Sequence, residues 1–345
     1  GRYCHTYADS HIYGTLGQLV ARQKSVAGDL RKMFSFDFLY NLVENRRKYY
    51  TLSAIMIGLG IAAMVYSYVT TGSIFQLGVD FRSGTRYEVQ FVEPVTEDEV
   101  RAVFVENGVS NPSVIALRGE GLQNAWQIRA DFATPAESQA IVDALEAELV
   151  PLIPGTLDVQ SVSPAVGREV TRAAFLAIGV AAVVILFYIM YVFRQIPNSF
   201  RYGACAVTAM VHDLFIIFGF AAITGVVLGW EVDALFLTAV LTVTGFSLQD
   251  TIVVFDRIRE NIARRPLERY EKVVNRSILE TVDRSVATQM SAMFILVAIL
   301  LFGGATIRPF IAVLLVGLLS GTYSSIFIAS PLLVSWEKGE IPVIS

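Results

Sequence analysis

The chain has 345 residues, of which 54% are hydrophobic and only 17% charged. That is too apolar for a soluble domain of this length and marks a polytopic membrane protein. The formal net charge of -4 averages over an uneven distribution and says little about partners.

The chain opens on Gly1 and a polar stretch with neither a basic n-region nor an apolar h-region, so no cleavable signal peptide is expected and insertion falls to the first membrane helix. Over residues 1–35 apolar positions are sparse; Leu16, Leu19 and Val20 suggest a short amphipathic surface helix. Cys4, His5 and His11 match no metal-site spacing, and Cys4 lies far from Cys205, so neither a metal, a disulfide nor any other cofactor is expected.

Runs of about 20 apolar residues predict six membrane spans, at 50–70, 171–193, 202–228, 232–255, 286–302 and 309–336. Arg46, Arg47 and Lys48 precede the first, Arg194 and Arg201 flank the turn after the second, and seven Lys or Arg residues from Arg257 to Arg276 fill the loop between the fourth and fifth. All fall on one side, whereas the short loops 229–231 and 303–308 carry only Arg308. The positive-inside rule then puts both termini, segment 1–49, loop 257–284 and tail 337–345 in the cytoplasm, and the long insert 71–168 outside.

That insert reads as a small folded domain. Tyr87, Val89 and Phe91 alternate with polar residues, the period of a half-buried strand. Thr96 with Glu99 forms a capping box ahead of the stripe Val100, Val103 and Phe104, and Gly108 ends that helix. A weaker strand at 112–117, a turn over 119–124 and a strand through Trp126, Ile128 and Ala130 follow. Thr134, Pro135 and Glu137 open a second helix with Ile141, Leu145 and Leu149 inward, and 156–162 closes the set. Strand, helix, strand, strand, helix, strand is the ferredoxin-like order. Its charges read as solvated surface and nothing in it suggests a catalytic centre.

Asp250 stands inside the fourth apolar run. A charge near the centre of a membrane helix costs roughly 2.5 to 3.5 kcal/mol, so it persists where it pairs, protonates or lines a polar path. Arg257 lies seven residues on, nearly on the same helix face, and Ser247 one turn away, so a proton path down that face is one reading; a bond from Asp250 to a neighbouring helix, with Ser247 or Thr251 as local partners, is the other. His212 and Asp213 in the third span form a second candidate relay or a packing pair. Asp256 and Arg257 read as a snorkelling ion pair at the boundary. Gly317 and Gly321 form a close-packing G-x-x-x-G. Phosphate-binding, G-x-S-x-G and H-E-x-x-H motifs are missing, so the chain is not expected to be an enzyme. Basic residues mixed with Glu260, Glu268 and Glu271 fit protein contact better than nucleic acid.

Three stretches resemble the SecF family of the bacterial Sec protein-translocation accessory complex: G-V-D-F-R-S-G-T at 78–85, S-L-Q-D-T-I-V-V-F-D-R-I-R-E-N at 247–261, and the last span with F-G-G, G-T-Y-S-S-I-F and A-S-P-L-L. Arg82 and Ser83 stand where the family has threonine and glycine, and Gln249 where it has asparagine. The resemblance implies half of a resistance-nodulation-division transporter in the bacterial inner membrane, with SecD as the other half, separate or fused. It implies SecYEG, unfolded preprotein and membrane lipids as further partners, and late-stage protein export driven by the proton gradient. Carried over residue by residue, it assigns proton transport to Asp250 and Arg284, with Gly78, Asp80 and Gly84 as a hinge after the first helix. The alternatives are a proton-coupled exporter half for small molecules or lipids, and a scaffold subunit with no proton role.

Overall fold

The computed structural model describes residues 41–340 apart from 111, 118–122, 195, 197, 305 and 306. The expected surface helix at Leu16 to Val20, the Cys4, His5 and His11 group and most of the turn at 119–124 lie outside the described residues. The first long helix, α1 (Arg46–Thr71), leads through a short helix α2 (Val79–Arg82) into a domain of β1 (Gly84–Gln90), α3 (Glu97–Glu106), β2 (Ser113–Leu117), β3 (Ala125–Ala130), α4 (Pro135–Glu148) and β4 (Asp158–Val162). Four long helices follow, α5 (Pro164–Val192), α6 (Ser199–Leu228), α7 (Ala234–Arg264) and α8 (Tyr270–Phe302). The last span runs through α9 (Arg308–Ser324), a π-helical segment at Ser325–Ala329 and α10 (Ser330–Glu337). Six of these helices, among the described residues, are long and apolar enough to cross a membrane.

Local chemistry accounts for the boundaries of the α/β domain. Both capping boxes form, with the Thr96 and Thr134 hydroxyls accepting from the Glu99 and Glu137 amides and the glutamates reaching back. The sheet order is β2-β3-β1-β4 with every pair antiparallel, and Tyr87 stands opposite both Ile128 and Val159. Tyr87, Val89, Phe91, Val114 and Ile128 form one core with Val100, Val103 and Phe104 of α3 and Ile141, Val142 and Leu145 of α4. Tyr87 meets the Phe104 ring edge-on at 5.1 Å, and its hydroxyl, buried among apolar groups, donates to Ser138 Oγ at 3.2 Å. Leu149, expected inside, is only half-buried because α4 ends at Glu148.

The helices overrun the predicted spans, because hydropathy marks the greasy length and not the helical length. The expected loop at 257–284 is mostly helix: α7 runs to Arg264 and α8 starts at Tyr270. Ion pairs and amide bonds sustain these polar ends, with Arg257 on Glu260 at 2.7 Å and Glu280 at 2.6 Å, and Asn261 on Ser277 at 3.0 Å. Helix α5 likewise starts at Pro164, seven residues before the predicted span, where Ser163 caps it. In the last span Pro331 supplies no N–H, the preceding turn widens to the π form, and Ser330 Oγ donates to the Ser325 carbonyl at 2.9 Å.

The turn from α2 into β1 carries backbone strain. Ser83 has φ 65 and ψ 161, a region open to glycine and costly for any side chain, and Gly84 follows at φ 130. A Cβ on Gly84 would stand 2.7 Å from the Ala130 carbonyl oxygen. The turn therefore demands glycine-like geometry at both positions, and Ser83 meets it at a cost. Ser83→Gly is expected to raise stability by about 1 kcal/mol, read as a higher midpoint in thermal unfolding of the detergent-solubilised chain; no gain would mean that the serine hydroxyl offsets the strain.

Candidate functional site

Among the described residues two carboxylates lie inside the helix bundle, Asp213 on α6 at 2% exposure and Asp250 on α7 at 6%. Small residues bring their surroundings together. A Cβ on Gly317 would stand 2.4 Å from Val243 Cγ2, and one on Gly321 2.9 Å from Ser247 Cβ, so the G-x-x-x-G of α9 lets that helix press against α7. The approach carries Ser320 and Ser324, one turn apart on α9, into the seam.

Asp213 collects what they offer. Ser247 of α7 donates to its Oδ2 at 2.6 Å, Ser324 to Oδ2 at 2.8 Å and Ser320 to Oδ1 at 2.6 Å, while His212 Nδ1 lies 3.1 Å from Oδ1. From His212 a polar chain runs to α1 and back to the last span: Nε2 to Ser53 Oγ at 3.1 Å, Ser53 to the Tyr323 hydroxyl at 3.3 Å, and Tyr323 to the Tyr49 carbonyl at 3.0 Å. Each hydroxyl has one proton, so the directions are fixed. Tyr323 spends its proton on a carbonyl, Ser53 donates to Tyr323, and His212 Nε2–H donates to Ser53. His212 Nδ1 is thereby turned toward Asp213 Oδ1. His212 and Asp213, read in sequence as a relay or a packing pair, are the hub of a hydrogen-bond network across four spans.

Asp250 has different company. Gln289 Nε2 of α8 donates to its Oδ2 at 2.9 Å, and Ser285 stands against the same carboxylate with its hydroxyl outside hydrogen-bond geometry. The Arg284 guanidinium is within electrostatic range, on an exposed position of α8. Gln289 Oε1 is buried and has no partner among the described residues. The amide thus suits both states of the acid: its NH2 serves a carboxylate, and a half turn would offer Oε1 to a carboxylic acid. Arg257 is not part of this group. Its guanidinium is held by Glu260 and Glu280, so the expected descent from Asp250 to Arg257 along one face is not joined by contact. Asp256 pairs with Arg259 at 2.7 Å and not with Arg257. Instead Arg257, Glu260, Glu280 and Arg284 line an open cleft of about 400 Å³ that also meets Asp256, Val253 and Thr281.

The residues expected as a hinge sit in a packed joint. Gly78 N–H donates to the Val232 carbonyl at 2.8 Å and Val232 N–H to the Gln76 carbonyl at 2.7 Å. A Cβ on Gly78 would stand 3.1 Å from Glu231 Oε2. Asp80 accepts from the Ala234 N–H at 2.9 Å and so caps α7 together with Asp233, whose carboxylate accepts from Phe236 N–H at 2.8 Å. Above them Glu231 meets Arg129 at 2.7 Å and Gln127 at 2.6 Å, both from β3. Burial pushes the Glu231 carboxyl up and pulls the Arg129 guanidinium down, each opposed by the other's charge; desolvation outweighs attraction, so the pair secures position more than stability. Sequence reading treated Arg129 as solvated charge and overlooked Glu231, Ser53, Gln289, Ser320 and Ser324. A serine pair at i, i+4 beside a G-x-x-x-G was the available signal for the last two.

The family described as Protein export membrane protein SecD/SecF, C-terminal, matches residues 148–339, and the SecD/SecF GG Motif matches residues 75–95. The chain is 40% identical to Protein translocase subunit SecF of Anaerolinea thermophila, covering 88% of this chain and 96% of that one, and 41% identical to its namesake in Thermobaculum terrenum, covering 87% and 95%. It is 32% identical to Protein translocase subunit SecDF of Bacillus subtilis over 86% of this chain and 38% of that one. The crystal structure of SecDF, a translocon-associated membrane protein from Thermus thermophilus, matches with a TM-score of 0.72 at 27% identity. There the match covers 86% of this chain and 38% of the other, so this chain spans about two fifths of that structure.

Removing a single serine from the Asp213 network, as in Ser320→Ala, is expected to cost about 0.6 to 1.7 kcal/mol. Asp213→Ala is expected to cost more, because it strands three hydroxyls and an imidazole. Thermal unfolding in detergent reads both; equal losses would show that the serines only pack.

Proposed function

Because the chain belongs to the SecD/SecF family of protein-export membrane proteins, we propose that it is the SecF-type subunit of a SecDF complex and couples proton movement to a late step of preprotein translocation. It is a multi-pass membrane protein. We place it in the bacterial inner membrane with both termini in the cytoplasm, which the Lys and Arg residues around Arg46, Arg201 and Arg257 to Arg276 support. The α/β domain is then extracytoplasmic, and its order β4-β1-β3-β2 with both helices sharing one core supports a ferredoxin-like reading. SecD supplies the other half; SecYEG and the emerging preprotein are the remaining partners. The chain acts as a transporter subunit and not as an enzyme.

The observation that carries the proton role is Asp250, buried in a span with an amide partner that suits both of its protonation states. Arg284 is the natural switch. Its charge lies within electrostatic range of Asp250 on an exposed position, where a partner half can draw it toward or away from the carboxylate. The cleft beneath, lined by Arg257, Glu260 and Glu280, gives the proton a polar route to the cytoplasmic side. His212 and Asp213 of α6, joined to α7 through Ser247 one helical turn from Asp250, form the second polar group, as a candidate relay. One charge crossing 100 mV yields about 2.3 kcal/mol, enough to bias a two-state rearrangement but not to haul many residues, so the complex acts as a ratchet on thermal motion.

A scaffold role is the second reading, favoured by the same Asp250 to Gln289 bond, which by itself ties α7 to α8. Preprotein translocation into inverted vesicles under a controlled gradient separates the two. Asp250→Asn and Arg284→Met are each expected to remove gradient-stimulated export while SecD still co-purifies; full stimulation in both variants would leave the scaffold.

A further inference from the structure

We propose that residues 76–82 and 231–234 form a rigid joint that moves the α/β domain together with α7, with Glu231 as its positioning residue. The inference rests on the proton-coupled reading, because α7 is the helix that carries Asp250. Asp250 lies about 24 Å from the joint at 1.5 Å of rise per residue, along one uninterrupted helix.

Three kinds of contact hold the joint, and they come from different parts of the chain. The backbone of 76–78 forms a bridge with Val232 through two short hydrogen bonds. Asp80, from the segment after α1, caps the first turn of α7. Glu231, from the turn before α7, is buried against Arg129 and Gln127 on the sheet face opposite the domain core, with its side chain 7% exposed and that of Arg129 18%. A sliding contact would use solvated groups that exchange partners. This one uses a largely enclosed ion pair, whose rupture leaves a poorly solvated charge, and leaves no space beside Gly78. Helix α2 is gripped from the other side as well, where a Cβ on Gly167 of α5 would stand 3.3 Å from Ser83 N. The start of α7 therefore has no freedom to tilt without carrying β3 with it.

The test uses the complex in inverted vesicles, in a Cys4→Ser, Cys205→Ala background, with Gln127→Cys and Glu231→Cys together. Unbridged, gradient-stimulated export is expected to fall at least about fivefold, while proton uptake dependent on Asp250 persists, a split that a merely structural defect would not give. Joining the two thiols with a short bifunctional thiosulfonate is expected to restore export, and reductant to remove it again. Export that stays lost after bridging shows that the joint must open, and parental export without bridging shows that the contact is idle; either overturns the proposal. Because the double substitution can also block assembly, Asp80→Ala is measured beside it. It leaves the ion pair in place and is expected to show the same loss of stimulation, so parental export from an assembled Asp80→Ala complex also overturns the joint. Full stimulation in Asp250→Asn would instead sink the proton-coupled reading on which the inference rests.

Discussion

In a bilayer interior no water competes for polar groups, so a carboxylate must find its donors on neighbouring helices. Asp213 does so with hydroxyls from α7 and α9 and the imidazole beside it, and His212 extends the network to α1. Packing in the membrane supplies no hydrophobic force between helices, so this network and the glycine contacts beneath it decide which faces meet. The approach of α9 to α7 at Gly317 and Gly321 and the convergence of hydroxyls on Asp213 are one arrangement seen from two sides.

That arrangement gives the two acids opposite characters. Asp213 is enclosed on every side by groups of this chain and has a fixed direction of donation through His212, Ser53 and Tyr323. Asp250 has a single amide partner, a spare acceptor beside it and an exposed arginine nearby. Loose company leaves a group free to exchange partners; saturation fixes the helices around it. The ionic clasp at the basic end follows the second pattern: Arg46 is buried against Glu340 and Glu271, which ties the start of α1 to the end of the last span.

What was legible in the sequence was whatever depends on neighbours within a few residues. The capping boxes at Thr96 and Thr134, the alternation through Tyr87 and the buried stripe of α3 are all local, and so is the anomaly of a charge in an apolar run at Asp250. The helices run on past the apolar spans because α7 and α8 support each other's polar extensions through Arg257, Asn261 and Glu280, contacts 16 to 23 residues apart. The same distance problem hid the partners of both acids. Gln289 lies 39 residues from Asp250 and Ser324 lies 111 from Asp213, and nothing in a serine or a glutamine announces which helix it will face. Arg257 was drawn toward Asp250 by helical periodicity alone, whereas closer carboxylates on its own helix and on α8 took it.

The π turn at Ser325–Ala329 bears on how this chain tolerates change. Each residue of an α-helix turns the chain by about 100°, so deleting one from most of the last span would swing everything beyond it away from its neighbours. The widened turn holds one residue more than an α turn needs. A deletion there would collapse it to ordinary helix and leave both flanking stretches, Ser320 with Ser324 on one side and Val334 with Ser335 on the other, close to their present faces. The span thus contains its own expansion gap, the single stretch where its length and its orientation are not bound to each other.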